Sequence, residues 1–413
     1  MKLKRKPVFL DGASNTPLDP AVIKAMNKYL RHNPCGNSMS AHVFGARAAE
    51  AVREARETIA ENCHVPAGSI QFTSGASEGN NWAILNSIQK FYENRKAISG
   101  CTVKPHIICS MLEHASVRDV CKNLETRHFA DVTWVTPAQK AGYISWLDIK
   151  KAITSHTCLV CVMAVNNETG IVNPELSQIT RKCSQRRIET LVDCTQWVSM
   201  GLKDFGRWSS LFYATYITFS AHKIYGPTGV GCLIARGEGN INSEEIRFPL
   251  IAGGFPRLSK RAGTENVAGI VGLAKAISLL DDKKISEHFL MLQNYLIDRL
   301  GTEFPRCTFN SKMLRHISNI ISLNLSNYFG EKNLAAKLNL YDVAVSGGSA
   351  CGEHENEPSI VLKTMGLSDE EARNTLRISF TKYTTKKDID RFIEVLKQYM
   401  QVCVLFGTGD SMR

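Results

Sequence analysis

Short apolar runs, each ending on or just before a polar residue, recur between residues 69 and 235 and alternate with helix-like stretches. Residues 69–73, 106–110, 132–135, 158–165, 190–192, 217–220 and 231–235 read as strands, being short, apolar and bounded by turn residues. Residues 20–30 and 46–62 read as helices, with apolar side chains recurring at three and four, and a further helix starts at Glu78. This rhythm predicts a parallel sheet covered on both faces, because a parallel return needs a crossover helix. After Asn266 the pattern changes. Amphipathic helices are expected over 266–280 and 285–300, then an apolar run over 317–325 and helices over 332–340 and 386–404, which together suit a smaller α+β part. The Gly/Pro-rich segment 253–263 is the candidate junction.

The chain has 413 residues, enough to enclose a ligand, and its 44% hydrophobic and 22% charged content suits a globular protein. No apolar run approaches the roughly 20 residues of a membrane span. The basic start, residues 1–6, is followed by no apolar segment, so no secretory signal is expected. The net charge of +11 fits a basic surface or an acidic partner. No basic run is interleaved with aromatics, so charge alone does not argue direct nucleic-acid binding. Thirteen cysteines show no framework spacing, and Cys158 and Cys161, with no second pair and only His156 beside them, do not make up a zinc site. They read as small buried hydrophobes in a reducing cytoplasm.

Six motifs stand at the ends of the apolar runs. Ser220-Ala221-His222-Lys223 follows a strand; an amine there either extends to solvent or serves a carbonyl as an imine-forming nucleophile. Asp193 also closes a strand, as a turn residue or as the partner of a cationic ring nitrogen. Thr73-Ser74-Gly75-Ala76-Ser77-Glu78 opens a helix, where backbone N–H groups and hydroxyls suit a phosphate. Glu113-His114 offers an imidazole for stacking and proton transfer. Asn166-Asn167-Glu168-Thr169-Gly170 follows another strand. The run Ser346-Gly347-Gly348-Ser349-Ala350-Cys351 reads as a loop presenting either an incidental surface thiol or a nucleophile.

With these motifs in this order, from Phe9-Leu10-Asp11 to the last helix, the chain resembles the cysteine desulfurases of the class V aminotransferases, in the NifS/IscS-like group with the longer catalytic loop. The resemblance implies the pyridoxal-phosphate (PLP) fold type I, an α/β fold. A large domain over 16–262 would carry a mainly parallel sheet flanked by helices. A smaller α+β domain would comprise 1–15 and 263–413 and bear the cysteine loop at about 344–357. It further implies pyridoxal 5′-phosphate on Lys223, Asp193 at the ring nitrogen, Gln196 at the ring hydroxyl and His114 stacked on the ring. Ala76, Ser77, Ser220 and His222 would hold phosphate, and Asn167 would sit near the ring oxygen and substrate. Arg377, in Thr375-Leu376-Arg377-Ile378-Ser379, would clamp the substrate carboxylate. Thr264, in Arg261-Ala262-Gly263-Thr264, would reach the phosphate of a neighbouring subunit, implying a homodimer. Lys223 would act as base at the α-carbon of L-cysteine, and Cys351 would take the sulfur as a persulfide for a protein acceptor. No membrane association is implied.

The chain departs from the family in places. Ser77 stands for the usual threonine, Gly79 for serine or aspartate, and Gly352-Glu353-His354-Glu355-Asn356-Glu357 for small hydroxylated residues. Nearby glutamates oppose thiolate formation, so a less acidic Cys351 is expected. The C-terminus, 404–413, lacks the tail that housekeeping members use to dock an iron–sulfur scaffold. The balance leans to a dedicated partner, DNA phosphorothioation being one such pathway, beside iron–sulfur assembly and tRNA thiolation. A lyase acting on selenocysteine or cysteine sulfinate, and a non-catalytic scaffold retaining the fold, remain the alternative readings.

Overall fold

The computed structural model describes residues 6–31, 36–96, 103–138, 141–200, 213–236, 246–253, 260–311, 314–329, 334–347 and 357–405. Cys351 and the acidic residues 352–356, most of the candidate junction, and the C-terminal tail from 406 lie outside them.

The chain begins with β1 (Val8–Phe9), α1 (Pro20–Leu30) and α2 (Val43–Cys63). Asp19 caps α1, accepting from the Ala21 N–H, and Pro20 opens the helix where no N–H is needed. There follow β2 (Ile70–Thr73), α3 (Ala76–Lys96), β3 (His106–Ser110), α4 (Ala115–Thr126), β4 (Asp131–Val135), α5 (Trp146–Ala152) and β5 (Thr157–Cys161). Then come α6 (Leu176–Ser184), β6 (Glu189–Asp193), β7 (Tyr216–Ser220) and β8 (Gly231–Ala235). Among the described residues these strands form a sheet in the order β2-β8-β7-β6-β5-β3-β4.

The sheet is not wholly parallel as the rhythm predicts. β8 runs antiparallel to both its neighbours, β2 and β7. Residues 221–230 are too few for the crossover that a parallel return from β7 demands. The other pairings are parallel. Both faces are buried, and alternation sorts the side chains. Ile107, Cys109, Leu159, Cys161 and Leu191 pack beneath α3 and α4, while Ile108, Val160 and Val192 join the core on the opposite face. Asp193, two residues after Leu191, therefore points to the α3 face.

Boundaries differ locally from expectation. Helix α3 starts at Ala76 rather than Glu78, because the Glu78 carboxylate accepts from the Ser74 N–H and stabilises an earlier turn. The run 158–165 is strand only to Cys161, since the Met163 N–H goes to Glu113 instead of a neighbouring strand.

The later part contains α7 (Val267–Ser278), α8 (Asp282–Glu303), β9 (Thr308–Phe309), β10 (Ile320–Asn324), α9 (Leu334–Asn339), β11 (Val343–Ala344) and β12 (Ser346–Gly347). It ends with α10 (Ile360–Thr364), α11 (Asp369–Arg373), β13 (Thr375–Ser379) and α12 (Lys386–Leu405). Helix α7 is mostly buried against α1 and α2, beyond what an amphipathic pattern predicts. Strands β12-β13-β10-β9 form an antiparallel sheet. β1 pairs with β11, and Asp11 bridges Ser379, so the first residues pack with the last part of the chain. No helix among the described residues is long and apolar enough to cross a membrane.

Candidate active site

The strands β2, β3, β5, β6 and β7 end on one side of the sheet. The chain leaves β3 outward to β4 and leaves β5 in the other direction to β6, so the sheet reverses its winding there, where such sheets bind ligands. A cavity of about 230 Å³ opens at this point. Its wall includes Ala76, Ser77, His114, Asn167, Asp193, Gln196, Ser220, His222, Lys223 and Arg377. Of the residues singled out in the sequence, Thr264 is exposed and does not line this cavity, and Cys351 lies outside the described residues.

Residues 11–14 hold both cations of the cavity. The Lys223 ammonium, at the end of a short 3-10 turn after β7, donates to the Ala13 and Ser14 carbonyls, each at 2.6 Å. Arg377 sits on β13, 2% exposed. Its guanidinium donates to Asp11 Oδ1 (2.9 Å), Ser346 Oγ (3.0 Å), Ser14 Oγ (3.3 Å) and the Asn167 carbonyl (3.0 Å). Gln196 donates from Nε2 to the Ala13 carbonyl at 2.9 Å.

Asp193 accepts from the Thr195 N–H at 2.9 Å and from Asn80 Nδ2 at 3.0 Å. His114 caps α4: its Nδ1 accepts from the Ser116 N–H at 3.1 Å. Burial lowers the His114 pKa, opposed by the Asp193 charge and reinforced by Lys223 and Arg118.

Where β2 passes into α3, the Ala76 N–H donates to Ser220 Oγ at 2.8 Å. Gly75 and β8 touch there: a Cβ on Gly231 would lie 2.5 Å from the Gly75 Cα, so this strand needs glycine for the turn to close. His222 is pushed down to about 4 by burial and by Lys223, so its ring is neutral at physiological pH. Arg261 pairs with Glu78 at 2.8 Å, tying the segment that carries Thr264 to the start of α3.

Two acids lie behind the cavity, Glu113 buried and Glu168 half-buried. Glu113 is 1% exposed; one oxygen accepts from the Met163 N–H at 2.7 Å and the other has no hydrogen-bond partner among the described residues. Burial first, then the Asp193 charge, raise its pKa well above the usual carboxylate range. Glu168 accepts from the Ser359 hydroxyl, and burial raises it to about 7. Asp11, Asn80, Ser116 and Glu168 carry the site's internal bonding, yet the sequence offers no periodic or charge signal for them beyond their places within or beside the motifs.

Residues 8–392 match the family described as aminotransferase class-V. The chain belongs to the class-V aminotransferase family. It is 34% identical to the cysteine desulfurase of Nostoc sp. over 397 residues, 95% of this chain and 93% of that one. A solved NifS-like protein superposes with a TM-score of 0.82 at 28% identity, covering 96% of this chain and all of the other. A structure described as SspA in complex with cysteine aligns with a TM-score of 0.75 at 31% identity, over 92% of this chain and 100% of that one. The fold is therefore PLP fold type I, and the protein is an enzyme of the NifS/IscS-like cysteine desulfurase group.

Proposed function

We propose that this class-V family member is a cysteine desulfurase that converts L-cysteine to L-alanine and retains the sulfur as a persulfide on Cys351. The observation that carries the reading is one cavity walled by an amine (Lys223), a carboxylate held by two donors (Asp193), an imidazole (His114) and a guanidinium (Arg377). That donor set fits pyridoxal 5′-phosphate. Lys223 would attach its aldehyde, Asp193 would face the ring nitrogen, Gln196 and Asn167 the ring oxygen. The start of α3 with Ser77, Ser220 and His222 would hold its phosphate. When bound, the cofactor supplies an electron sink for charge developing at the substrate α-carbon.

The chain's own groups do the rest. Arg377 takes the substrate carboxylate, exchanging contacts it makes with Asp11, Ser14 and Ser346. Lys223 removes the α-proton. The Cys351 thiolate attacks the substrate sulfur, and the substrate C–S bond breaks with its electron pair going to the β-carbon, which takes up a proton. The proton held by Lys223 returns to the α-carbon to complete alanine, and the outer persulfide sulfur keeps the substrate thiol's proton or releases it to solvent. The exposed Thr264 supports a homodimer in which it serves the neighbouring subunit. The large and small domains divide at about residues 15–16 and 262–263. The persulfide passes to a protein acceptor, in iron–sulfur assembly, tRNA thiolation or a dedicated pathway. Of the nine cysteines whose side chains are described, seven are buried thiols, which suits a reducing cytoplasm.

Borohydride reduction, digestion and mass spectrometry should find a pyridoxyl adduct on Lys223. The Cys351→Ala variant should keep the cofactor's absorbance and lose sulfide release. An adduct on another lysine, or full desulfurase activity without Cys351, would overturn the reading.

A further inference from the structure

A directed chain of hydrogen bonds runs beneath the cavity from Asp193 to His114. Thr218 Oγ1 donates to Asn80 Oδ1 at 2.6 Å. The Asn80 amide nitrogen therefore turns the other way, and a carboxylate on that side, having only lone pairs, accepts the same orientation. Both Asn80 N–H bonds are used: one to Asp193 Oδ2 at 3.0 Å, the other to Ser116 Oγ at 3.0 Å. Ser116 Oγ, having accepted from Asn80, has its own proton free to donate, and His114 Nδ1 lies 2.9 Å away. The Ser116 N–H also donates to that nitrogen. His114 Nδ1 thus faces two donors, and a proton on it would break both bonds.

We infer that Asn80 is a positioning residue that, through Ser116, holds His114 as the neutral imidazole with its proton on Nε2, while the same amide orients Asp193. His114 then meets the cavity as a donor, not as a base. Asn80 is fully buried, and Ser116 is half-buried at the cavity wall. The charged groups acting on His114 are Asp193, Lys223, Arg118 and Asp119. The bland alternative is an amide that merely stitches α3 to β6 and β7. It predicts lost stability without any change in the imidazole.

The inference rests on the proposed function and deepens it, giving His114 a hydrogen-bond donor's part there, but the tautomer is measured without turnover. Proteins labelled with ¹⁵N-histidine, cofactor-free and loaded with pyridoxal 5′-phosphate, are compared by long-range ¹H–¹⁵N correlation, with His114→Gln identifying the signals. Wild type should give a single Nε2–H pattern at pH 7 in both forms. Asn80→Ala should mix the tautomers and raise the His114 midpoint by about one unit, roughly the loss of one hydrogen bond favouring the neutral ring. Ser116→Ala, a change at a less buried position, should shift it in the same direction by less, since the backbone donor remains. An Nδ1–H pattern or an imidazolium at pH 7 in wild type overturns the inference. So does an unchanged pattern in a folded Asn80 or Ser116 variant. Failure of desulfurase activity with the Nε2–H pattern intact would instead count against the proposed function alone.

Discussion

One part of the cavity wall, formed where β2 enters α3 and where β7 ends, offers neutral donors: the Ala76 N–H, the hydroxyls of Ser77 and Ser220, and the uncharged ring of His222. The opposite character marks the wall made by residues 11–14 and β13. There Arg377 sits, and the ammonium of Lys223 reaches across from the turn after β7, each engaged by the protein's own oxygens. The difference teaches how one cavity can receive two anions. A helix start with hydroxyls binds a phosphate by direction and dipole, needing no buried counter-charge. A buried guanidinium left bare would be costly, so it keeps Asp11 until another carboxylate replaces it.

The largest effect should come from the cationic wall. Arg377→Ala should lower kcat/KM for L-cysteine by about 100-fold or more, the loss of a charge-assisted, bidentate contact. Cysteamine, which lacks the carboxylate, should lose little of its slower rate. Equal losses for both would mean that Arg377 only supports the fold, and the contrast between the walls would collapse.

Glu168 tests the same wall from behind. Its carboxyl, raised from 4.5 to about 7 by burial, binds a proton more tightly folded than unfolded. Stability from the protonated form is full below about pH 4.5 and is lost as pH rises through 7. Relative to Glu168→Gln, wild type should lose on the order of 2 kcal/mol over that interval, read from urea midpoints at pH 5 and pH 8. A difference that does not change with pH would show that Glu168 is solvated rather than buried.

The smallest effect concerns the neutral wall. In cofactor-free protein His222 should titrate at about 4. Inorganic phosphate or pyridoxal 5′-phosphate should raise that midpoint by about one unit, because a nearby anion favours the imidazolium. An unmoved resonance would place the phosphate elsewhere.

Much of this was legible in the chain. The strands ending at Ser110, Asp193, Ser220 and Thr73 were readable because buried strands are apolar runs closed by polar residues. Two of those closing residues, Asp193 and Ser220, line the cavity. The reversal of β8 was less visible, since an apolar run carries no direction; only the short connection 221–230 forces it. Strand β13, with Arg377 at its centre between β10 and β12, was recognised only as a motif, although Leu376 and Ile378 alternate with Thr375, Arg377 and Ser379 at the period of a strand.

The sequence by itself determined the sheet-and-helix frame, the family and the set of groups that meet at the strand ends, because local periodicity and motif order are properties of the linear chain. Only the tertiary structure decided which partner each group keeps. Asp11 reaches Arg377 across 366 positions, and Asn80 reaches Asp193 across 113. Such contacts are set by the face onto which the sheet's alternation turns a side chain and by which elements pack there. No local pattern encodes either.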